Sequence, residues 1–81
     1  MTISRRAAQV LEDLKTLKVI TSDDIIGTIP FSTTGLKIGL SIPESDQKRR
    51  IVVKHAFYQE FESGVMISEV LDSFCISINA N

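Results

Sequence analysis

A strict alternation of apolar residues with small or polar ones runs through positions 36–42. The apolar members are Leu36, Ile38, Leu40 and Ile42, and the residues between them are Lys37, Gly39 and Ser41. Successive side chains of a β-strand point to opposite faces, so a period of two predicts a strand that buries one face. Any fold of this chain must cover that face.

The N-terminal segment has the period of an α-helix instead. Its apolar residues recur three or four positions apart, at Ala7, Val10, Leu11, Leu14 and Leu17. This spacing predicts one amphipathic helix over residues 4–18, and Thr2 or Ser4 can cap its first N–H groups. The helix offers an apolar stripe that can cover the sheet.

Shorter signals predict further strands. Phe74, Ile76 and Ile78 alternate with Cys75, Ser77 and Asn79, and residues 65–71 fit a strand or a short helix. Residues 25–29 are rich in β-branched side chains, and Pro30 restricts a strand there to an edge. We therefore predict a single α+β domain, residues 1–81, in which the N-terminal amphipathic helix packs on a mainly antiparallel sheet of four to five short strands.

Residues 50–61 fit both periods. Ile51, Val53, Phe57 and Phe61 share one parity, and the β-branched start favours a strand that pairs with residues 36–42. Val53, Ala56, Phe57 and Phe61 also fit helical spacing, with Ser45 as a possible cap and Gly64 as the stop. The strand is the preferred prediction, and the helix stays open.

The charges are divided along the chain. All nine Lys and Arg residues lie at or before Lys54, and the four acids that follow meet no base, although the formal net charge is only −1. A chain that coats nucleic acid usually has a pI above about 9, whereas a net charge near zero permits copies to associate.

Four of the basic residues form the candidate partner-binding site, Lys48, Arg49, Arg50 and Lys54, together with the neighbouring His55. In an extended segment Arg50 and Lys54 project from one face, while Lys48 and Arg49 lie at the turn. Such a cationic edge suits an acidic protein or the phosphates of a nucleic acid. It also protects a strand edge against aggregation.

No set of residues predicts an active site, a cofactor or a metal centre. His55 is the single histidine and is expected to be partly buried, and the single cysteine, Cys75, is expected to be a buried apolar residue. Asp23 and Asp24 suit a turn or the first turn of a helix. No apolar run approaches the ~20 residues of a membrane helix, and the composition fits a reducing cytoplasm.

Two partial resemblances bear on nucleic-acid binding. Residues 7–42 resemble a helix-turn-helix, but Gly35 and Gly39 would fall in its recognition helix. Gly27-x-Ile29 and Val53-Lys54-His55-Ala56 are similar to motifs of bacterial Sm-like RNA chaperones, whose Lys-His dipeptide binds RNA, although the first strand of that fold is nearly missing here. Neither family is identified.

The sequence thus predicts a non-enzymatic cytoplasmic protein-binding module, an inhibitor, adaptor or assembly factor. It is expected to self-associate through a strand edge or the Leu-rich helix, with no cofactor and no membrane segment. The alternative is a small nucleic-acid-binding protein, winged-helix-like or Sm-like, that uses residues 48–54.

Overall fold

Two helices pack on one four-stranded antiparallel sheet. The computed structural model describes residues 2–32 and 34–79. Its elements are α1 (Ile3–Thr16), β1 (Ile25–Pro30), β2 (Gly35–Leu40), α2 (Gln47–Phe61), β3 (Val65–Glu69) and β4 (Phe74–Asn79), with 3-10 turns at Ser22–Asp24 and Glu62–Gly64. The strand order is β1-β2-β4-β3. This architecture, with α1 against the sheet, confirms the predicted fold class.

One face of the sheet is buried beneath both helices. Leu36, Ile38 and Leu40 of β2 lie opposite Ile78, Ile76 and Phe74 of β4, and none of these six side chains is more than 2% exposed. The helices add Ala7, Val10, Leu11, Leu14, Val53, Phe57 and Phe61 to the same core. The apolar residues of the alternating pattern are therefore the buried ones in both strands. Both strands lie in the middle of the sheet, where one face is fully covered.

Helix α1 begins and ends at local signals. The Thr2 hydroxyl accepts a hydrogen bond from the Arg5 N–H at 3.2 Å, which confirms the predicted cap. At the other end Lys18 has a left-handed φ of 64°. The N–H groups of Lys18 and Val19 donate to the carbonyls of Lys15 and Leu14, as in a Schellman motif. The helix thus stops at Thr16, and Leu17, predicted to lie on the apolar face, is 69% exposed.

The strand predicted for residues 50–61 is wrong, because this segment is helix α2. Asp46 caps it by accepting the Arg49 N–H at 3.3 Å. The buried residues recur at helical spacing, at Arg50, Val53, Phe57 and Phe61. Strand β2 consequently pairs with β1 and β4, and no hairpin joins residues 36–42 to 50–61. Packing of this one stripe against the sheet outweighs the β preference of Ile51 and Val52, whose side chains stay exposed.

Strand β1 is an edge of the sheet, as Pro30 predicts. Its pairing with β2 shifts between Ile25 and Gly27, where a bulge interrupts the register. Pro30 closes the strand and has no N–H to offer a further strand. Both features weaken this edge as a template for additional pairing.

Candidate functional site

The basic segment predicted as a partner-binding edge lies on the first half of α2, and most of it is engaged within the molecule. Arg50 is fully buried. Its guanidinium donates to the Ile42 carbonyl at 3.0 and 2.8 Å and to the Val70 carbonyl at 2.5 Å. It also stands 5.3 Å from the centre of the Phe74 ring. Arg50 therefore holds the chain before α2 against the turn between β3 and β4, and it is not accessible to a partner.

Arg49 joins α2 to the segment before β1. Its guanidinium contacts Asp46 at 2.6 Å and Asp24 at 3.1 Å, and it donates to the Val19 carbonyl at 3.2 Å. Asp24 is itself fixed, because its carboxylate accepts the Thr21 N–H at 2.9 Å. This confirms the prediction that Asp23 and Asp24 belong to a turn, which here is a 3-10 turn.

The remaining residues of the predicted site differ in exposure. The Lys54 ammonium lies 3.0 Å from the Glu69 carboxylate on β3, so its charge is also compensated. Lys48 and His55 are exposed, and within residues 2–32 and 34–79 no ion pair involves Lys48. The expectation of a partly buried His55 is wrong, because helix α2 turns that side chain to solvent. A continuous cationic edge does not form.

Two carboxylates of this network carry a pH dependence. The hydrogen bond from Arg49 lowers the pKa of Asp46, and that from Lys54, with a smaller contribution from Arg50, lowers the pKa of Glu69. A lowered pKa in the folded state means that the unfolded chain binds more protons in acid. The stabilising effect is therefore complete above the ordinary carboxyl range and is lost as the pH falls below about 4.

We expect the variant Asp46→Asn, Glu69→Gln to lose less stability than the parent chain between neutral and acidic pH. The reason is that both acid-sensitive contacts have been removed. Urea unfolding at a series of pH values measures the difference. Parallel loss of stability in the two proteins below about pH 4 would contradict the assignment.

Helices α1 and α2 both pack on the first face, so neither helix of the described residues covers the second face of the sheet. Residues that pair across strands share a face, and two rows cross all four strands on this side: Ile29, Lys37, Ser77 and Met66 in one row, and Gly27, Gly39, Cys75 and Ser68 in the other. Ile29 is 64% exposed and Met66 is 76% exposed. We call this surface the bare face; Lys37 is the one charge in its two rows.

Glycine and other small residues keep the bare face shallow. Around Gly27, Gly39 and Cys75 lies an open groove of about 330 Å³, flanked by Ile26, Ile29 and Lys37. A Cβ at Gly39 would stand 3.5 Å from the Ile26 side chain, and one at Gly27 would meet nothing within 4 Å. The second row is therefore a flat strip flanked by Ile26, Ile29 and Lys37.

Cys75 lies on this face and not in the core. The prediction of a buried cysteine is wrong, because Cys75 has the opposite parity to Phe74 and Ile76 and is half-buried. The bare face itself was missed by the sequence reasoning. Its signal was the run of small residues at the outward positions of β2 and β4, namely Gly39, Cys75 and Ser77.

The described residues form neither a metal-binding cluster nor a membrane-spanning helix. Within residues 2–32 and 34–79, no three His, Cys, Asp or Glu side chains cluster as a metal site would require. Neither helix of that part of the chain combines the length and apolarity needed to span a bilayer.

Comparison with known proteins adds no relative. No protein-family model matches the chain, and neither a curated protein nor a solved structure is significantly similar to it. What the fold and the site define is a class, a small α+β domain whose helices cover one face of a four-stranded sheet and leave the other bare. Its function must be inferred from its own residues.

Proposed function

We propose that this chain is a non-enzymatic, cytoplasmic protein-binding module, an inhibitor, adaptor or assembly factor, and that it self-associates. The observation that carries the proposal is the bare face, where the exposed Ile29 and Met66 lie in a row with a single charge. Ile29 and Met66 stand at opposite ends of this row, on the two edge strands, and the exposed Ile26 lies near Ile29. Exposed apolar side chains on one surface are typical of interaction sites. The centres of protein interfaces are also depleted of charge.

The partner that suits the bare face presents an apolar segment and one acidic side chain. The strip through Gly27 and Gly39 leaves room for apolar side chains to reach the sheet backbone. Lys37 lies within the same surface, so a carboxylate of the partner can pair with it while water is excluded from the contact. Charge complementarity at Lys37 then orients the partner.

The alternative, nucleic-acid binding through residues 48–54, stays a prediction with less to support it. Sequence-independent affinity comes from several Lys and Arg side chains that face phosphates. Here Arg50 is buried, and Arg49 and Lys54 contact carboxylates. Lys48 and His55 alone leave too little positive charge, so protein binding ranks first.

Partner capture from the native cell extract, with and without nuclease, tests the proposal. Three baits are compared: the tagged chain, its variant Ile29→Lys and the matched control Leu17→Lys. The control changes a similarly exposed apolar residue just after α1. We expect Ile29→Lys to reduce recovery of the partner at least about tenfold, the effect of losing one interface anchor. The control is expected to retain it.

The charge reversal Lys37→Glu is expected to weaken capture as well. Recovery that is lost on nuclease treatment would favour the nucleic-acid alternative. Equal recovery by the parent chain, Ile29→Lys and Lys37→Glu would overturn the role of the bare face. Thermal unfolding of each bait checks that the changes act on binding and not on folding.

A further inference from the structure

Strand β3 is the other edge of the sheet and, unlike β1, has neither a bulge nor a proline. It pairs with β4 alone, and its register runs without interruption from Val65 to Glu69. The five residues include no Pro, Lys or Arg, in contrast to the bulge and Pro30 of β1. Their one charge, Glu69, is paired with Lys54 and Arg50. The unpaired N–H and C=O groups of such an edge are a template for another strand.

A stripe of exposed apolar side chains on α2 accompanies this edge. The 3.0 Å contact between the Lys54 ammonium and the Glu69 carboxylate shows which side of α2 faces β3. Ile51 and Tyr58 lie three residues before and four residues after Lys54, and therefore on the same side of the helix. Ile51 is 57% exposed and Tyr58 is 44% exposed. The unpaired backbone groups of the β3 edge and the exposed apolar side chains of α2 thus lie on the same side of the molecule.

We propose that two copies of this chain pair antiparallel through β3, so that their sheets join into one of eight strands. The α2 helices pack across the junction through Ile51 and Tyr58. This inference rests on the self-association named in the proposed function and gives it a surface. It also joins two bare faces into one continuous surface.

The charges suit a second copy as the occupant. A two-fold axis through Ile67 places Glu69 opposite Val65 of the second copy, so no like charges meet directly. The Glu69 carboxylate already contacts Lys54 and Arg50, at 3.0 and 3.3 Å. The net charge of −1 adds little long-range repulsion between copies.

Both parts of the surface are needed for a stable dimer. Five residues of extended strand span about 17 Å, and a contact of that length alone falls short of the ~1,200 Å² that stable interfaces bury. The α2 stripe extends the contact beyond the backbone. Damage to either part is therefore expected to weaken the dimer.

Sedimentation velocity over a range of concentrations tests the dimer. The variants are Ser68→Lys, which places a charge on the β3 edge, and Ile51→Glu on α2. Leu17→Lys, at an exposed position just after α1 and outside both surfaces, is the matched control. We expect each of the first two to raise the dimer Kd at least about tenfold and the control to leave it within about twofold.

Amide hydrogen exchange locates the contact. Pairing through β3 predicts protection in residues 65–69 that rises with protein concentration, while residues 25–30 stay unchanged. A strict monomer at high micromolar concentration would overturn the self-association and leave partner capture by the bare face untouched. A dimer that Ser68→Lys and Ile51→Glu do not weaken, or protection that rises at β1 instead, would overturn the β3 edge.

Discussion

Replacing Arg50 with Met is expected to lower the free energy of unfolding by about 3–5 kcal/mol, the usual cost of breaking a buried charged network by removing one partner. Met keeps much of the aliphatic stem but donates no hydrogen bond. The carbonyls of Ile42 and Val70 then lose a buried donor, and each orphaned group costs about 1–3 kcal/mol. Urea unfolding measures the loss.

A domain of this size has a total stability of only about 5–15 kcal/mol, so Arg50→Met should leave a substantial unfolded fraction at elevated temperature. Lys48→Met is the control, because it also replaces a cationic side chain with Met, two residues earlier and at an exposed position. We expect the control to change stability by less than about 0.5 kcal/mol. Equal stability of the two variants would contradict the structural role of Arg50.

Arg50→Lys separates the charge from the shape of the donor. A guanidinium presents five N–H groups in a planar fork, whereas an ammonium is a compact point charge. The Arg50 fork reaches carbonyls of two different segments, Ile42 before α2 and Val70 after β3. We therefore expect Lys to recover only part of the stability that Met loses. The network depends on geometry as well as charge.

Strands β2 and β4 were predictable because their information is local. The alternation of apolar residues in each strand shows which face is buried, and both strands lie in the middle of the sheet. For α2 both periods fitted, and the β-branched start of the segment favoured the strand, which is wrong. The core stripe of the helix also includes a cation, Arg50, which no apolar pattern counts. What makes Arg50 tolerable there is remote in sequence, since the Ile42 and Val70 carbonyls are 8 and 20 residues away. No periodicity reports such partners.

The charge cluster was visible in the sequence, but its compensation was not. Arg49 meets Asp24 across 25 residues and Lys54 meets Glu69 across 15, so their pairing follows from the packing of α2 and not from local pattern. The bare face depended on the same element. When residues 50–61 are predicted as a strand, only one helix remains to cover the sheet. A fold with one helix does not indicate which face of the sheet stays uncovered.

Phe57→Ala is expected to lower the free energy of unfolding by about 3–5 kcal/mol, the range for removing a large core aromatic. The Phe57 side chain is fully buried and lies stacked with Phe61, the ring centres 6.4 Å apart. Both rings belong to the stripe with which α2 covers the sheet. Truncation leaves a cavity that the neighbouring strands can fill only in part. The loss of stability therefore includes the lost burial of the ring and the cost of the remaining cavity.

Tyr58→Ala provides a control at the adjacent position, with an aromatic side chain that is 44% exposed. In the monomer, measured at low protein concentration, we expect it to cost less than about 1 kcal/mol. Residue 59 separates the helix from the strand, because both would bury Phe57 with Val53 and Phe61. A strand would place Gln59 on the face of Phe57, whereas helix α2 leaves it exposed. Truncating Gln59 as well completes the test. A large loss at Phe57 with small losses at Tyr58 and Gln59 fits α2, and a large loss at both Phe57 and Gln59 would contradict it.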